Sequence, residues 1–324
     1  LAAGGQQLGS VWGHGGYVAP DWSADWLHRE ALGLRAELAA QVFATPYAEL
    51  TFEQRAGIDA RASAEMRRND YDADSGTLHI SSARAAAISR VAAHYGELFG
   101  DGRALDALRE QYAMSADSVP AAADRNALTA FFFWSSWAAA TDRPGESGLS
   151  YTSNWPHEPL VDNRMTAGSA IWSIVSIVLL IAGIAGMLWY HGTQHEPAPP
   201  VAPARDPLLG ARATASMLAT RKYFFVVVGI LLLQVVMGVI TAHYAVEGQT
   251  FFSLPLGELL PYVVSRTIHT QTGIFWIATA WLATGLYIAP AISGHEPKFQ
   301  RLGVNFLFTC LLIIVVGGLG GQWA

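Results

Sequence analysis

The sequence predicts a mainly α-helical protein, in which a polytopic bundle of membrane-spanning helices follows a soluble, mostly helical domain. Hydrophobic residues make up 52% of the 324 residues and charged residues only 14%, an unusual balance for a wholly soluble protein. A helix needs roughly 20 apolar residues to cross a bilayer, and buried core helices rarely provide four windows of that length. Such windows, free of Asp, Glu, Lys and Arg, cover residues 168–190, 223–246, 267–294 and 302–324.

Residues 1–167 contain most of the charge and are predicted to form the soluble domain. They hold 21 of the 26 acidic residues and 13 of the 20 basic ones, and each of these basic residues is arginine. This acidic balance argues against nucleic acid as a partner. Amphipathic spacing and cap signals predict helices over 21–44, 51–68, 81–99 and 121–140, and residues 77–80 are predicted to form a short strand.

The chain contains one cysteine, Cys310, and this residue falls inside a predicted span. A single cysteine excludes a disulfide within the chain and a cysteine-ligated zinc site. It also excludes the Cys-x-x-Cys-His motif that attaches haem covalently.

Basic residues between the spans predict which side of the membrane each loop faces. The Pro-rich linker 191–222 carries four basic residues and the loop 295–301 carries two, whereas the loop 247–266 carries one. The positive-inside rule then places the first two segments in the cytoplasm. Residues 1–167 and the loop 247–266 are predicted to face the periplasm of a bacterium. The chain is thus expected to be a multi-pass protein of the inner membrane.

This topology divides the chain into parts with different roles. Residues 168–190 are predicted to be a tether, and residues 223–324 to form the first helices of the main bundle, with spans of about 223–246, 267–290 and 302–322. The chain begins at Leu1 without an initiator methionine and stops soon after an apolar run. We therefore expect it to be part of a larger membrane protein, with a spanning helix ahead of Leu1.

His243 and Glu247 lie four residues apart at the predicted outer end of the second span. On a helix this spacing places both side chains on one face, one turn apart. A neutral imidazole and a carboxylate at that depth suit a quinol, because they can hydrogen-bond its hydroxyls and accept its protons. The alternative is the ordinary polarity of a helix end at the membrane interface.

His269 lies inside the third predicted span, with Arg266 one turn before it. Ionisable groups at that depth are costly unless partnered, which favours a functional interpretation. Imidazole is a common axial ligand of haem iron, and a guanidinium matches the carboxylate of a haem propionate. The alternative is a histidine that hydrogen-bonds a neighbouring helix.

Three segments resemble nitric oxide reductases. Residues 9–30 read GSVWGHGGYVAPDWSADWLHRE and residues 150–160 read SYTSNWPHEPL. Both are similar to the hydrophilic domain of the bacterial quinol-dependent enzymes. Residues 261–270, PYVVSRTIHT, resemble an early helix of the catalytic subunit of nitric oxide reductases in general.

The resemblance implies a relative of the haem–copper oxidases that has a non-haem iron in place of copper. Such enzymes take electrons from quinol through a low-spin haem b to a high-spin haem b3 beside the iron. There two NO, two electrons and two protons give N2O and H2O, in denitrification or nitric oxide detoxification. The outer domain would be cytochrome c-like without haem c. Carried over to this chain, His269 is an axial ligand of the low-spin haem, Arg266 lies near its propionates, and His243 and Glu247 line the quinol site.

The resemblance further implies that the iron ligands, the haem b3 ligand and the second low-spin ligand belong to later helices. No suitable histidine or glutamate follows His269 within a span. We therefore expect no catalytic residue in this chain, which would be the electron-entry part of the enzyme. The implied partners are quinol, nitric oxide, membrane lipid and the remaining helices of the enzyme, and a homodimer is left open.

Two other functions remain open from the sequence alone. One is another haem–copper relative that oxidises quinol and reduces oxygen. The other is a non-catalytic membrane sensor with an outer helical domain, which would contain no haem. A b-type haem spectrum separates the sensor from both enzymes.

Overall fold

The computed structural model describes residues 8–194, 212–250 and 254–321. By their internal contacts the residues group into two compact units, Leu1–His191 and Gly192–Ala324. The predicted linker 191–222 falls largely on residues 195–211, which lie outside the described residues. The last two to three residues of the final predicted span also lie outside them.

The first unit contains a soluble helical domain and one long apolar helix. Its helices begin and end within one residue of the predicted bounds for the four long elements of the domain. The strand predicted over 77–80 is shorter than expected, and a second hairpin was not predicted. The helices are α1 (Trp22–Phe43), α2 (Phe52–Arg67), α3 (Ser82–Leu98), α4 (Asp106–Gln111), α5 (Ala122–Ala140) and α6 (Ala167–Thr193). The antiparallel hairpins pair β1 (Tyr71–Asp72) with β2 (Thr77–Leu78), and β3 (Asp142–Arg143) with β4 (Glu146–Ser150).

Side-chain caps explain where three of these helices begin. The Asp21 carboxylate accepts a hydrogen bond from the backbone N–H of Ala24 and starts α1. Thr51 and Gln54 form a reciprocal capping box at the start of α2, and Ser81 caps α3. Each cap satisfies an N–H group that the helix itself leaves without a partner, a contribution of about 1 kcal/mol.

Helix α1 is the centre of the soluble domain, because its apolar stripe contacts helices on several sides. It crosses α3 so closely that a methyl group on Gly33 would lie 3.2 Å from the Ala87 side chain. Next to this crossing, Trp26 stacks on Tyr95 with ring centroids 5.3 Å apart. The fully buried apolar residues at the α1, α2 and α3 contacts include Leu27, Leu34, Leu38, Ala62, Met66, Ala83 and Ala87.

A buried ion pair also joins α1 to α3. Arg84 Nε lies 2.8 Å from a carboxylate oxygen of Glu30, and both side chains are almost fully excluded from solvent. The other carboxylate oxygen of Glu30 accepts a hydrogen bond from the Trp26 indole at 2.9 Å, and Arg84 also donates to the Glu65 carbonyl at 3.1 Å. These extra bonds matter because a buried charge is costly unless its polar atoms are satisfied.

The four windows predicted to span the membrane correspond to helices that are long and apolar enough to cross it. In the second unit, α10 begins five residues before the predicted 267. His269 therefore lies two turns inside its helix, and the expectation that it sits in the opening turn was wrong. The elements are α7 (Ala215–Ala219), α8 (Arg221–Glu247), α9 (Leu256–Leu259), α10 (Tyr262–Ser293) and α11 (Gln300–Gly320).

Helices α8 and α10 run antiparallel along most of their length. Tyr244 meets Tyr262 with ring centroids 5.6 Å apart, and Thr241 donates to Ser265 at 3.4 Å. Further along, Gly238 and then Gln234 of α8 face His269 and Gly273 of α10. Helix α11 packs at the other end of α8, where the Tyr223 hydroxyl donates to the Val304 carbonyl at 2.6 Å.

Candidate functional site

The imidazole of His269 is held against α8 by one hydrogen bond. Its Nδ1 atom lies 2.9 Å from the backbone carbonyl oxygen of Gln234. A carbonyl oxygen only accepts, so Nδ1 carries the hydrogen and Nε2 keeps its lone pair. No described residue forms a hydrogen bond with Nε2. This is the arrangement in which metal-bound histidines are oriented, with one ring nitrogen on a carbonyl and the other free to ligate.

Gly238 provides the space for this ring. A methyl group at position 238 would lie 2.7 Å from Cε1 and 2.9 Å from Nδ1 of His269, closer than side-chain carbons approach. Only a residue without a Cβ atom lets the imidazole lie flat against α8 at this level. The ring is therefore fixed by a hydrogen bond and by a fitted slot.

The Gln234 side chain braces the same contact from below. Its Oε1 atom accepts a hydrogen bond from the Trp276 indole N–H at 2.5 Å. Its amide nitrogen occupies space that a methyl group on Gly273 would fill, at 2.8 Å. His269 and Trp276 are seven residues apart and lie on one face of α10, so Gln234 contacts both ends of a two-turn stretch.

Arg266 lies one turn before His269 on the same helix and is half-buried. An (i, i+3) spacing places the two side chains near one another on the helix surface. The structure thus keeps the predicted pair together at one level of α10.

His243 and Glu247 are also close together, at the end of α8 where it leads into the loop to α9. His243 Nδ1 lies 3.5 Å from a Glu247 carboxylate oxygen, and Nε2 lies 3.0 Å from the Thr250 carbonyl oxygen. The carbonyl fixes the hydrogen on Nε2, so in the neutral ring Nδ1 is a base that faces a carboxylate. The Glu247 side chain is 60% exposed in the second unit, and that of His243 only 11%.

The two predicted pairs lie on neighbouring helices at different levels. Gly238, which faces His269, is five residues before His243, which is about 7.5 Å along the axis of α8. The turn of the helix over five residues also points His243 about 140° away from Gly238. The two pairs are near each other along α8, but they do not share one cavity.

Sequence inspection missed Gln234 and Gly238. Gln234 had a signal, because it is the one amide side chain in the otherwise apolar stretch before Thr241. A polar residue in a span is a functional candidate by default. Gly238 had none, since its role depends on which residue of α10 faces it.

Two family models match the chain. One is described as the cytochrome c-like domain of the nitric oxide reductase protein NorB and matches residues 1–157. The other is described as cytochrome c and quinol oxidase polypeptide I and matches residues 218–324. None of the curated proteins matches the chain.

The membrane helices, with a histidine held on its neighbouring span, are thus those of the haem–copper oxidases. The outer domain narrows this class, because it matches a domain of the nitric oxide reductase NorB. The chain belongs to the NorB-like nitric oxide reductase family of haem–copper oxidases. The predicted family and the mainly α fold, a membrane bundle with an N-terminal helical domain, are confirmed.

The family is one of oxidoreductases that contain haem and metal cofactors. The residues around His269 fit a haem, since Nδ1 is fixed by a carbonyl and Nε2 keeps a free lone pair. No group of three or more His, Cys, Asp or Glu that would hold a metal ion occurs in the part of the chain that the structure describes. The donor found here is therefore a single axial imidazole.

Proposed function

We propose that this chain forms the electron-entry part of a quinol-dependent nitric oxide reductase of the bacterial inner membrane, with its outer domain in the periplasm. The observation that carries the proposal is the His269 imidazole, whose Nδ1 is held at 2.9 Å by the Gln234 carbonyl while Nε2 is free. A low-spin haem b bound there supplies one-electron transfer. Haem b3 and the non-haem iron are expected on other helices of the enzyme.

The residues of this chain would hold and orient the haem. His269 presents the Nε2 lone pair in one direction, because the slot at Gly238 prevents the ring from turning. Arg266 places a positive charge one turn away, which suits a propionate. A fixed ligand and a nearby cation lower the cost of reorganisation during electron transfer.

His243 and Glu247 would receive the protons of the quinol. Nδ1 of His243 and the Glu247 carboxylate are 3.5 Å apart, too far for a strong direct hydrogen bond. A quinol hydroxyl that enters between them donates to one and then to the other as it is oxidised. Glu247, being exposed, can pass the proton to water. Oxidation of the quinol releases two electrons and two protons, which balances the reduction of two NO to N2O and H2O.

The haem assignment is tested with His269→Ala in the intact enzyme. We expect the reduced α-band of the low-spin b haem to be lost, because its axial ligand is gone. His295→Ala, which changes an exposed histidine in a loop, is the matched control and should leave the spectrum intact. An unchanged Soret band and α-band in His269→Ala would remove this assignment.

The quinol assignment is tested separately with His243→Ala and Glu247→Gln. Loss of a positioned acid–base group costs roughly 100-fold or more, so quinol-driven NO reduction should fall by that order. Reduction driven by an artificial donor that bypasses quinol should stay within about twofold, since the haem site is untouched. Equal losses with both donors would argue against a quinol site. Oxygen consumption exceeding NO consumption in the unmodified enzyme would favour the oxygen reductase instead.

A further inference from the structure

A basic cleft of about 500 Å³ lies between the starts of α8 and α11. Arg221, Lys222, Arg301 and Asn305 contribute its polar atoms, and Leu218 and Phe225 contribute its main apolar surface. The three cations directly precede the two apolar windows that begin at residues 223 and 302. They therefore lie at the level of the lipid headgroups if those windows cross the hydrocarbon.

The positive charge in this cleft is not neutralised by neighbouring carboxylates. Neither Arg221 nor Arg301 forms an ion pair with any described residue. Lys222 donates to Asn305 Oδ1 at 2.6 Å and lies 4.5 Å from the centre of the Phe308 ring, so its own contacts are with neutral groups. A cluster of three cations without a counter-charge favours an anionic ligand.

Glu296 is the one carboxylate at this end of the described spans, and it is committed elsewhere. One of its oxygens accepts a hydrogen bond from the Ser216 backbone N–H at 3.0 Å, at the start of α7. Hydrogen bonding from Thr214, and from Ser216, keeps the pKa of Glu296 below its usual value. The carboxylate is thus ionised and serves α7 rather than the arginines.

The start of α11 adds further positive potential to the cleft. Phe299, the residue that precedes the helix, provides no side-chain cap, and Arg301 lies in the first turn. Uncapped N–H groups and the helix dipole both favour an anion at this end. The apolar side of the cleft is exposed as well, at 72% for Phe225 and 53% for Leu218.

We propose that this cleft binds the phosphate headgroup of an anionic phospholipid, with Arg221 and Arg301 on the phosphate and an acyl chain along Phe225 and Leu218. Basic pockets between membrane helices recognise such lipids by charge, and the adjoining apolar surface accommodates the hydrocarbon. A free phosphate would use the same cations but not the apolar side. The inference concerns lipid binding and goes beyond the proposed reductase function.

The test uses the intact enzyme, delipidated in detergent and titrated with phosphatidylglycerol or phosphatidylcholine while bound lipids are counted by native mass spectrometry. We expect preferential binding of phosphatidylglycerol. The double variant Arg221→Gln/Arg301→Gln should weaken that binding by about 25-fold, at roughly fivefold for each arginine. Lys298→Gln removes an exposed charge from the same end without lining the cleft, and should change little.

Two further arms keep the outcome decisive. Arg221→Lys/Arg301→Lys keeps both charges and should retain the preference, and its haem spectrum shows that the fold is intact even if the glutamine variant fails to assemble. Inorganic phosphate should raise the melting temperature less than phosphatidylglycerol does. Equal binding of the two lipids, undiminished binding in the glutamine variant, loss of preference in the folded lysine variant, or equal stabilisation by phosphate would each overturn the proposal.

Discussion

The Nδ1 atom of His269 lies 2.9 Å from the backbone carbonyl oxygen of Gln234, across the contact between α10 and α8. A backbone acceptor cannot be removed by a side-chain substitution, so this hydrogen bond depends on the spacing of the two helices. That spacing is set by two neighbours of the bond: the missing side chain of Gly238 and the side chain of Gln234. Each can be changed separately.

Gly238→Ala should displace the His269 ring without changing the ligand itself. The added methyl group would lie 2.7 Å from Cε1, so the ring must tilt or the helices must separate. Changes to groups that orient a metal ligand typically cost 10- to 100-fold in affinity, so we expect b haem content to fall by roughly that order under limiting haem. Pyridine haemochrome assays and the low-spin signal in electron paramagnetic resonance measure this.

Gly229→Ala is the matched control for that experiment. It makes the same change on the same helix, but nothing lies within 4 Å of the added carbon. A small gain in helix propensity is the main effect expected there. A wild-type haem signal in Gly238→Ala would contradict the slot described here.

Gln234→Leu should loosen the brace beneath the imidazole. It removes the acceptor of the Trp276 indole N–H and leaves this donor without its 2.5 Å bond, which costs about 1–3 kcal/mol of stability. Thermal unfolding in detergent should detect the loss. In the double variant with Trp276→Phe the stranded donor is absent, so the two losses should not add. Additive losses would show that the two side chains act independently.

The sequence contained enough information for the helices but not for the contacts between them. Asp21, Thr51 and Ser81 are local cap signals, and four apolar windows are long enough to identify the spans. The early start of α10 escaped because Ser265 and Arg266 interrupt the apolar pattern, although the helix already begins after Pro261. The β3–β4 hairpin, in turn, is held by long side-chain contacts such as Arg67 with Asp142.

For the site, the sequence identified the residues with titratable side chains and missed the parts made of backbone or of empty space. His269 and Arg266 were visible as ionisable groups in a span. The carbonyl of Gln234 and the bare Cα of Gly238 have no chemical signal of their own. Their role follows from the register of two antiparallel helices, which composition does not determine.

The buried pair of Arg84 and Glu30 should be the most sensitive polar contact of the soluble domain. Arg84→Met leaves the Glu30 carboxylate buried without its counter-charge, which typically costs about 3–5 kcal/mol. The double variant Glu30→Gln/Arg84→Met removes both charges and keeps a side-chain oxygen for the Trp26 indole, so it should recover part of the loss. Denaturant unfolding monitored by hydrogen exchange in α1 and α3 measures both.

An exposed pair provides the contrast for this prediction. Arg68 contacts Asp70, and its side chain is 59% exposed. Arg68→Gln should cost less than about 1 kcal/mol, because water screens such pairs. A similar loss for both arginine variants would mean that burial does not determine their cost.

His94 should make the stability of the soluble domain depend on pH below neutrality. Burial, together with the positive charge of Arg29, lowers its pKa from the ordinary 6.5, and Asp25 opposes this only in part. Nε2 of His94 is buried without a hydrogen-bond partner among the described residues, so protonation would place a charge where no acceptor waits. The unfolded chain therefore binds the proton more readily than the folded domain. Stability is greatest above pH 6.5 and is lost as the pH falls toward and through the lowered folded pKa.

His94→Gln should flatten this part of the pH profile, since it removes the titrating group. His79→Gln, which changes an exposed histidine of the same domain, should leave the slope unchanged. Hydrogen exchange of the α3 amides between about pH 7.5 and 5.5 provides the measurement, because it reports the opening of the helix that carries His94. A slope that persists in His94→Gln would assign the acid sensitivity to another group in the domain.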